Sequence, residues 1–317
     1  MSREGSPWTG VAAVFAHELA DNLMSVRMRL LEVLVFLAAI GAAWAAISDI
    51  KETIGEDPFL FLRVFTFSRE PLPSFVAFLG FLIPIVAITL GFDSVNGEFN
   101  RRTMSRLLAQ PIYRDALLFG KFLASLATLA VFLTALWLGV IGFGILLLGL
   151  PPSGEEILRS IGFLVASVAY GGVWIALALV FSVIFRSPAT AALSALSLWL
   201  FFAFFWNMLV PILTRSFVTI DVYDPESQIA AINTAMAFGH LSPQQLFGDT
   251  ALALFNPATR ALGPLFGDQL EGALMGAPLP AWQSFLLIWP QLTALVSAAV
   301  VLFTIAYLLF QHQEVRA

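Results

Sequence analysis

The sequence predicts an all-α polytopic membrane protein with six transmembrane helices, and three observations carry that prediction. Of its 317 residues, 59% are hydrophobic and 12% charged, where soluble domains carry about a quarter charged. Mean hydropathy over the chain is +0.87. Apolar runs recur at about the 20 residues a helix needs to cross a hydrocarbon core of roughly 30 Å. Between two of these runs lies one long polar, cation-rich stretch, Phe92 to Lys121. The whole chain, 1–317, reads as a single transmembrane domain.

Residues 8–26 open it. Trp8, Val11, Phe15, Leu19, Leu23 and Val26 share helical spacing while Glu18, Asp21, Asn22 and Ser25 fall on other faces, the pattern of a helix lying in the membrane interface. The first span, 30–48, follows, with Glu32 near its start. Its apolar run is longer than the core of about 7–15 residues in a signal peptide, so it is expected to stay in the mature protein. An acidic, proline-bearing link leads to the second span, 75–92.

The polar segment 93–115 comes next. Arg101, Arg102, Arg106, Arg114 and, just beyond it, Lys121 supply five cations, and Val95, Phe99, Leu107 and Leu108 recur as on one side of a helix. Asn96 is placed to cap that helix and Pro111 to stop it. The third span, 116–150, exceeds one core thickness and closes at Pro151-Pro152. The fourth and fifth, 157–185 and 189–213, are joined only by Arg186-Ser187-Pro188, a turn that forces two antiparallel helices to meet at one surface. Residues 214–283 contain two moderately apolar stretches too short to span, around 228–238 and 246–255. They fit a re-entrant helical hairpin, which a bilayer tolerates where protein or water surrounds the irregular backbone, or a small external cap. The last span is 284–310, interrupted by Pro290.

Six spans with both termini in the cytoplasm put ten of the sixteen Lys and Arg residues inside, as the positive-inside rule asks. The segment 93–115 is then cytoplasmic and 214–283 external.

Chemistry is scarce. There is no cysteine, which removes disulfides, thiolate nucleophiles and thiolate metal sites. His17, His240 and His312 lie on separate elements, and Asp221, Asp224 and Glu226 lack the spacing and glycine of a calcium loop, so no metal site and no catalytic residue is expected. Gly120-Lys121 is followed by Phe122 and preceded at five residues by Asp115, so it is no phosphate-binding loop. With no basic tract interleaved with aromatics, nucleic acid is not an expected partner. The span interiors carry no ionisable residue near their middles, which argues against an ion-coupled carrier and an intramembrane hydrolase. A membrane anchor or assembly factor without transport stays open as an alternative, as does an ion-coupled carrier that binds its ion through backbone carbonyls and hydroxyls. In the fifth span, Phe201, Phe205 and Asn207 are candidates to line a translocation path.

The polar segment also carries a resemblance. Glu98, Arg102-Thr103-Met104, Leu107-Leu108, Pro111-Ile112, Arg114 and Gly120-Lys121 resemble the E, G-T-L, L-L, P-I-x-R and G-K pattern of type-2 ABC transporter permeases, with Asn256-Pro257 as a weaker match. The family usually has Gly where this chain has Arg102, and Leu where it has Met104. The resemblance implies an ATP-driven exporter permease in a prokaryotic cytoplasmic membrane, not an enzyme by itself. It makes 8–26 an elbow helix, 93–115 a coupling helix that docks on a separate nucleotide-binding ATPase subunit, and part of 214–283 a pair of short external helices before the last span. Glu98, Phe99, Arg101, Arg102, Arg106, Leu107, Leu108, Pro111 and Arg114 would then couple to the ATPase. ATP and Mg would be held by that subunit, with no cofactor in this chain, and a second permease copy would complete a homodimer or heterodimer.

Overall fold

The computed structural model describes residues 10–52, 59–66, 74–103, 113–219, 221, 223–260, 262 and 278–312. Among them the chain is helical with no strand. Helices α1 (Val11–Met24) and α2 (Val26–Glu52) break at Ser25, whose extended backbone turns the chain and whose hydroxyl accepts from the Met28 amide at 3.2 Å. They are followed by α3 (Leu60–Thr66), α4 (Phe75–Gly91), α5 (Asn96–Asn100), α6 (Arg114–Leu148) and α7 (Gly154–Ile184). The fifth long helix is α8 (Pro188–Leu200), a π-helical turn Phe201–Phe205 and α9 (Trp206–Phe217) in succession. Two short helices, α10 (Pro225–Gly239) and α11 (Pro243–Phe255), coincide with the two moderately apolar stretches and precede α12 (Ala281–His312). Among the described residues, six helical stretches are long and apolar enough to cross a membrane, beginning at Met28, Phe75, Arg114, Gly154, Pro188 and Ala281.

Helix α7 is the centre of the bundle. Its start is sharply specified: Ser153 caps the helix, its Oγ accepting from the Glu156 amide at 3.3 Å while Glu156 reaches back to the Ser153 amide at 2.7 Å. Of the most apolar stretch of α7, 78% is buried, against 6% for the α8–α9 helix. Helices α4, α6, α11 and α12 all pack on α7. Close packing of α4 depends on Gly91, where a Cβ would stand 2.8 Å from that of Ala178 and 2.9 Å from the Ile175 carbonyl. Pro84 inside α4 cannot donate to the Gly80 carbonyl, and the Tyr170 hydroxyl of α7 donates to that oxygen instead, at 3.0 Å. Tyr170 thereby repairs the backbone bond that Pro84 removes, as a helix inside a bilayer requires.

At the bundle end that carries α3 and α11, a fully buried arginine gathers the chain. Arg159 Nη1 donates to the Leu254 carbonyl and Ser284 Oγ, each at 2.9 Å, and Nη2 donates to the Leu279 carbonyl and, at 3.1 Å, to Glu155 Oε1. The guanidinium thus closes the last turn of α11 and the approach to α12, where a cation is favoured by free carbonyls. Glu156 Oε1 accepts from the Phe61 amide at 2.8 Å and fixes α3 beside it. Helix α11 buries Leu246, Phe247, Leu254 and Phe255 against the bundle, with Phe247 stacked on Tyr170 and Phe255 on Phe65. Burial pushes the Asp249 carboxyl up, against the pull of His240 3.1 Å away and of the Gln245 amide.

Candidate functional site

The opposite end of the bundle holds the polar segment. Residues 92–95 turn the chain out of α4, and α5 follows as little more than one helical turn. It is held at several points. Ser182 Oγ of α7 accepts from the Val95 and Asn96 amides at 3.0 and 3.3 Å, Asn96 Nδ2 donates to the Phe185 carbonyl at 3.2 Å, and Asn100 Nδ2 to that of Arg186 at 3.1 Å. Asn96 is therefore not a cap, as its sequence position suggests. Val95 occupies the cap position, and Asn96 is a buried clamp onto the turn between α7 and α8.

One ion cluster joins this turn to two other helices. Lys121 Nζ of α6 donates to Glu18 Oε1 of α1 at 2.5 Å and to Glu98 Oε1 of α5 at 3.3 Å. The Lys121 side chain is 4% exposed, and those of Glu18 and Glu98 are 22% and 20% exposed. Thr103 Oγ1 donates to the other Glu98 oxygen and, at 3.2 Å, to the Glu98 carbonyl. Gly120 makes the cluster possible. A Cβ there would lie 2.6 Å from Val14 Cγ1, so the absence of a side chain lets α1 lie against α6 and brings Glu18 within reach of Lys121. The Gly-Lys pair thus has a packing member and a charge member. A polar cavity of about 290 Å³ opens beside the cluster, lined among others by Asp21, Asp93 and Arg101. Among the described residues no group of three or more His, Cys, Asp or Glu is placed to hold a metal ion.

The helix expected from Asn96 to Pro111 ends at Asn100. Arg102 N donates to the Phe99 carbonyl at 3.1 Å and Thr103 N to that of Glu98 at 3.0 Å, the pair of bonds that closes a helix in a Schellman motif. Arg102 occupies the left-handed position of that motif with φ 56°, the one non-glycine residue among those described to do so. This explains the usual glycine of the resembling pattern: an L side chain in that region costs roughly 1–2 kcal/mol. Periodicity could not reveal the break, because an arginine gives no sign of a left-handed turn.

Of the expected coupling residues, Glu98 is in the ion cluster, Phe99 packs partly buried against the apolar cluster that includes Val14 and Leu117, Arg101 and Arg102 are exposed, and Arg114 begins α6. Arg106, Leu107, Leu108 and Pro111 lie outside the described residues. Sequence position alone does not pair Glu18, Ser182 and Lys121 with this segment; the one signal is a lone lysine within an apolar helix. In the fifth long helix, Phe201 packs with Phe202 and Trp206, whereas Phe205 and Asn207 are exposed. Because the Arg102 side chain is exposed, Arg102→Gly is expected to stabilise the purified protein by about 1 kcal/mol, read as a higher thermal unfolding temperature in detergent; an unchanged or lower temperature would contradict the strain.

The pattern of the ABC-2 family transporter protein matches residues 12–315. The chain is similar to the probable ABC transporter permease protein NosY of Pseudomonas aeruginosa, 32% identical over 197 residues, which cover 60% of this chain and 66% of that protein. It is 28% identical over 199 residues to the protein of the same name from Stutzerimonas stutzeri, covering 61% of this chain and 66% of the relative. These matches span just under two thirds of the relatives' length. With six membrane-length helices and a family pattern running nearly from end to end, the chain belongs to the ABC-2 family of transporters and is an integral-membrane permease of that type.

Proposed function

We propose that this permease is the membrane-spanning subunit of an ATP-driven exporter in a prokaryotic cytoplasmic membrane. Both termini and the segment 93–115 are cytoplasmic, and a separate ATPase subunit, which holds ATP and Mg, docks on that segment. The observation that carries the reading is the Lys121 cluster, because it makes α5 a mechanical junction. A displacement applied beyond Thr103 reaches Glu98, and from there passes to α6 and α1 through Lys121, to α7 through Ser182 and Asn96, and to α4 through the chain itself. Breaking a buried ion pair by removing one partner costs about 3–5 kcal/mol, so these elements move together when α5 is pushed. The α1 helix then serves as the elbow.

Docking itself falls to apolar side chains. Burying Leu107 and Leu108 contributes about 1.5–3 kcal/mol each, against roughly 0–1 kcal/mol for an exposed arginine pair, so Arg101, Arg106 and Arg114 orient what the leucines anchor, while Phe99 ties α5 to the bundle. A second copy of the permease covers the α8–α9 helix. That helix is barely buried, and it exposes the Asn207 amide among Phe204, Phe205 and Met208. A polar amide directed into lipid is unfavourable, whereas at a protein interface or a wet path it finds partners. The translocation path then runs along this face, past Phe205 and Asn207, and α10–α11 form its external side.

Two experiments test these assignments. Leu108→Asp is expected to leave membrane insertion intact while lowering recovery of the ATPase with the tagged permease by about tenfold or more; undiminished recovery would remove the docking assignment. Because the chain has no cysteine, single substitutions report cleanly on the second copy. Under oxidation, Phe205→Cys or Met208→Cys is expected to yield a disulfide-linked dimer, and Leu138→Cys, exposed on α6, is not. Equal crosslinking at all three sites, or none at the first two, would contradict a homodimer joined through α8–α9.

A further inference from the structure

On a different side of the bundle, α6, α7 and α12 enclose a groove of about 840 Å³, within the roughly 300–1,000 Å³ of small-molecule sites. Its inner wall is Leu126, Val168, Gly172 and Ala299, small or aliphatic side chains that give it depth. One flank is aromatic: the Phe303 ring lies 4.7 Å from both Phe119 and Phe122, and Tyr307 stands beside Phe119. The mouth, formed by Leu123, Val165, Val296 and Val300, is 40–58% exposed and opens away from the protein. In a membrane that mouth faces acyl chains.

Polarity within the groove is confined to the end nearer α5. There Asp115 lines it, its carboxylate accepting from the Gln311 amide, with the Tyr307 side chain one turn before Gln311 along α12. Thr304 also lines the groove, but its hydroxyl donates to the Val300 carbonyl at 2.8 Å. From Asp115 to Leu126 the α6 wall is about 16 Å long at 1.5 Å per residue. That is one leaflet of a hydrocarbon core of roughly 30 Å. The groove therefore has the length of one acyl chain, an apolar body, and a carboxylate at the depth where a headgroup lies.

We propose that this groove holds a resident phospholipid of the leaflet nearer α5, one acyl chain lying along α6 between α7 and α12 and an amine-bearing headgroup at Asp115. Charge decides the headgroup class. Asp115 complements the ammonium of phosphatidylethanolamine and repels the phosphate of an anionic lipid that lacks an amine. A lipid seated there fills the space between α6 and α12, which otherwise meet chiefly through α7.

Native mass spectrometry of the full-length permease in mild detergent, offered phosphatidylethanolamine and phosphatidylglycerol in equal amounts, tests this. The expected result is one retained lipid per chain, with phosphatidylethanolamine favoured. Val300→Trp, which fills the groove, is expected to reduce retention about tenfold or more. Val301→Trp, exposed on the same helix but outside the lining, should leave it unchanged, and Asp115→Asn should keep a lipid but lose the headgroup preference. Absence of a retained lipid, equal retention in the Val300→Trp variant, or conversion of a dimer to a monomer by Val300→Trp, which would place a second copy in the groove, each overturns the proposal.

Discussion

A single buried ammonium group sets the arrangement of one end of this protein. Lys121 is nearly inaccessible to solvent, and it is tolerable there only because Glu18 and Glu98 face it. Removing a charge of that kind from water costs several kcal/mol, and the attraction of its partners offsets the cost only when the geometry is good. Its contribution is better understood as specification than as stability. An apolar cluster could hold α1, α5 and α6 together about as strongly, but it would permit them to slide. A lysine bonded to two carboxylates on two other elements does not.

The far end of the bundle uses the same device with different chemistry. Arg159 spreads its planar guanidinium over two backbone carbonyls, a serine hydroxyl and a carboxylate, a task for which a fork of fixed donors suits better than a point charge. Both cations sit within two or three turns of a helix start, so the middle of the bundle is left to apolar packing and to repairs such as that of Tyr170 on Gly80. The two ends are thus fastened independently. Each long helix between them is therefore anchored near an end and packed by apolar contacts along its middle, while α8–α9 is the least buried of the six.

Much of the fold was legible in the sequence because bilayer thickness imposes run lengths that composition reveals directly. The six spans and the tight turn at Arg186-Ser187-Pro188 follow from local rules. The junction was less legible. Glu18 lies on the polar face of an amphipathic helix, and periodicity cannot distinguish a carboxylate facing water from one facing a buried lysine more than a hundred residues away. Asn96 reads as a helix cap, yet its amide is needed across the bundle at Phe185. Arg102 conceals a left-handed turn that glycine would have announced, and so the helix was expected to run on to Pro111. The Gly-Lys pair was visible as a motif, while its meaning, a close approach paired with a charge clamp, required three helices in place.

The central claim is that Lys121 locks α1 to α5. Pulsed electron paramagnetic resonance between spin labels at Ala12 and Arg101, both exposed in the structure, measures that lock in lipid nanodiscs. The account requires a narrow distance distribution in the protein with Lys121 intact and a clearly broadened one after Lys121→Met, with the protein still folded. A distribution equally narrow in both proteins would show that packing alone holds α1 in place, and would contradict the claim.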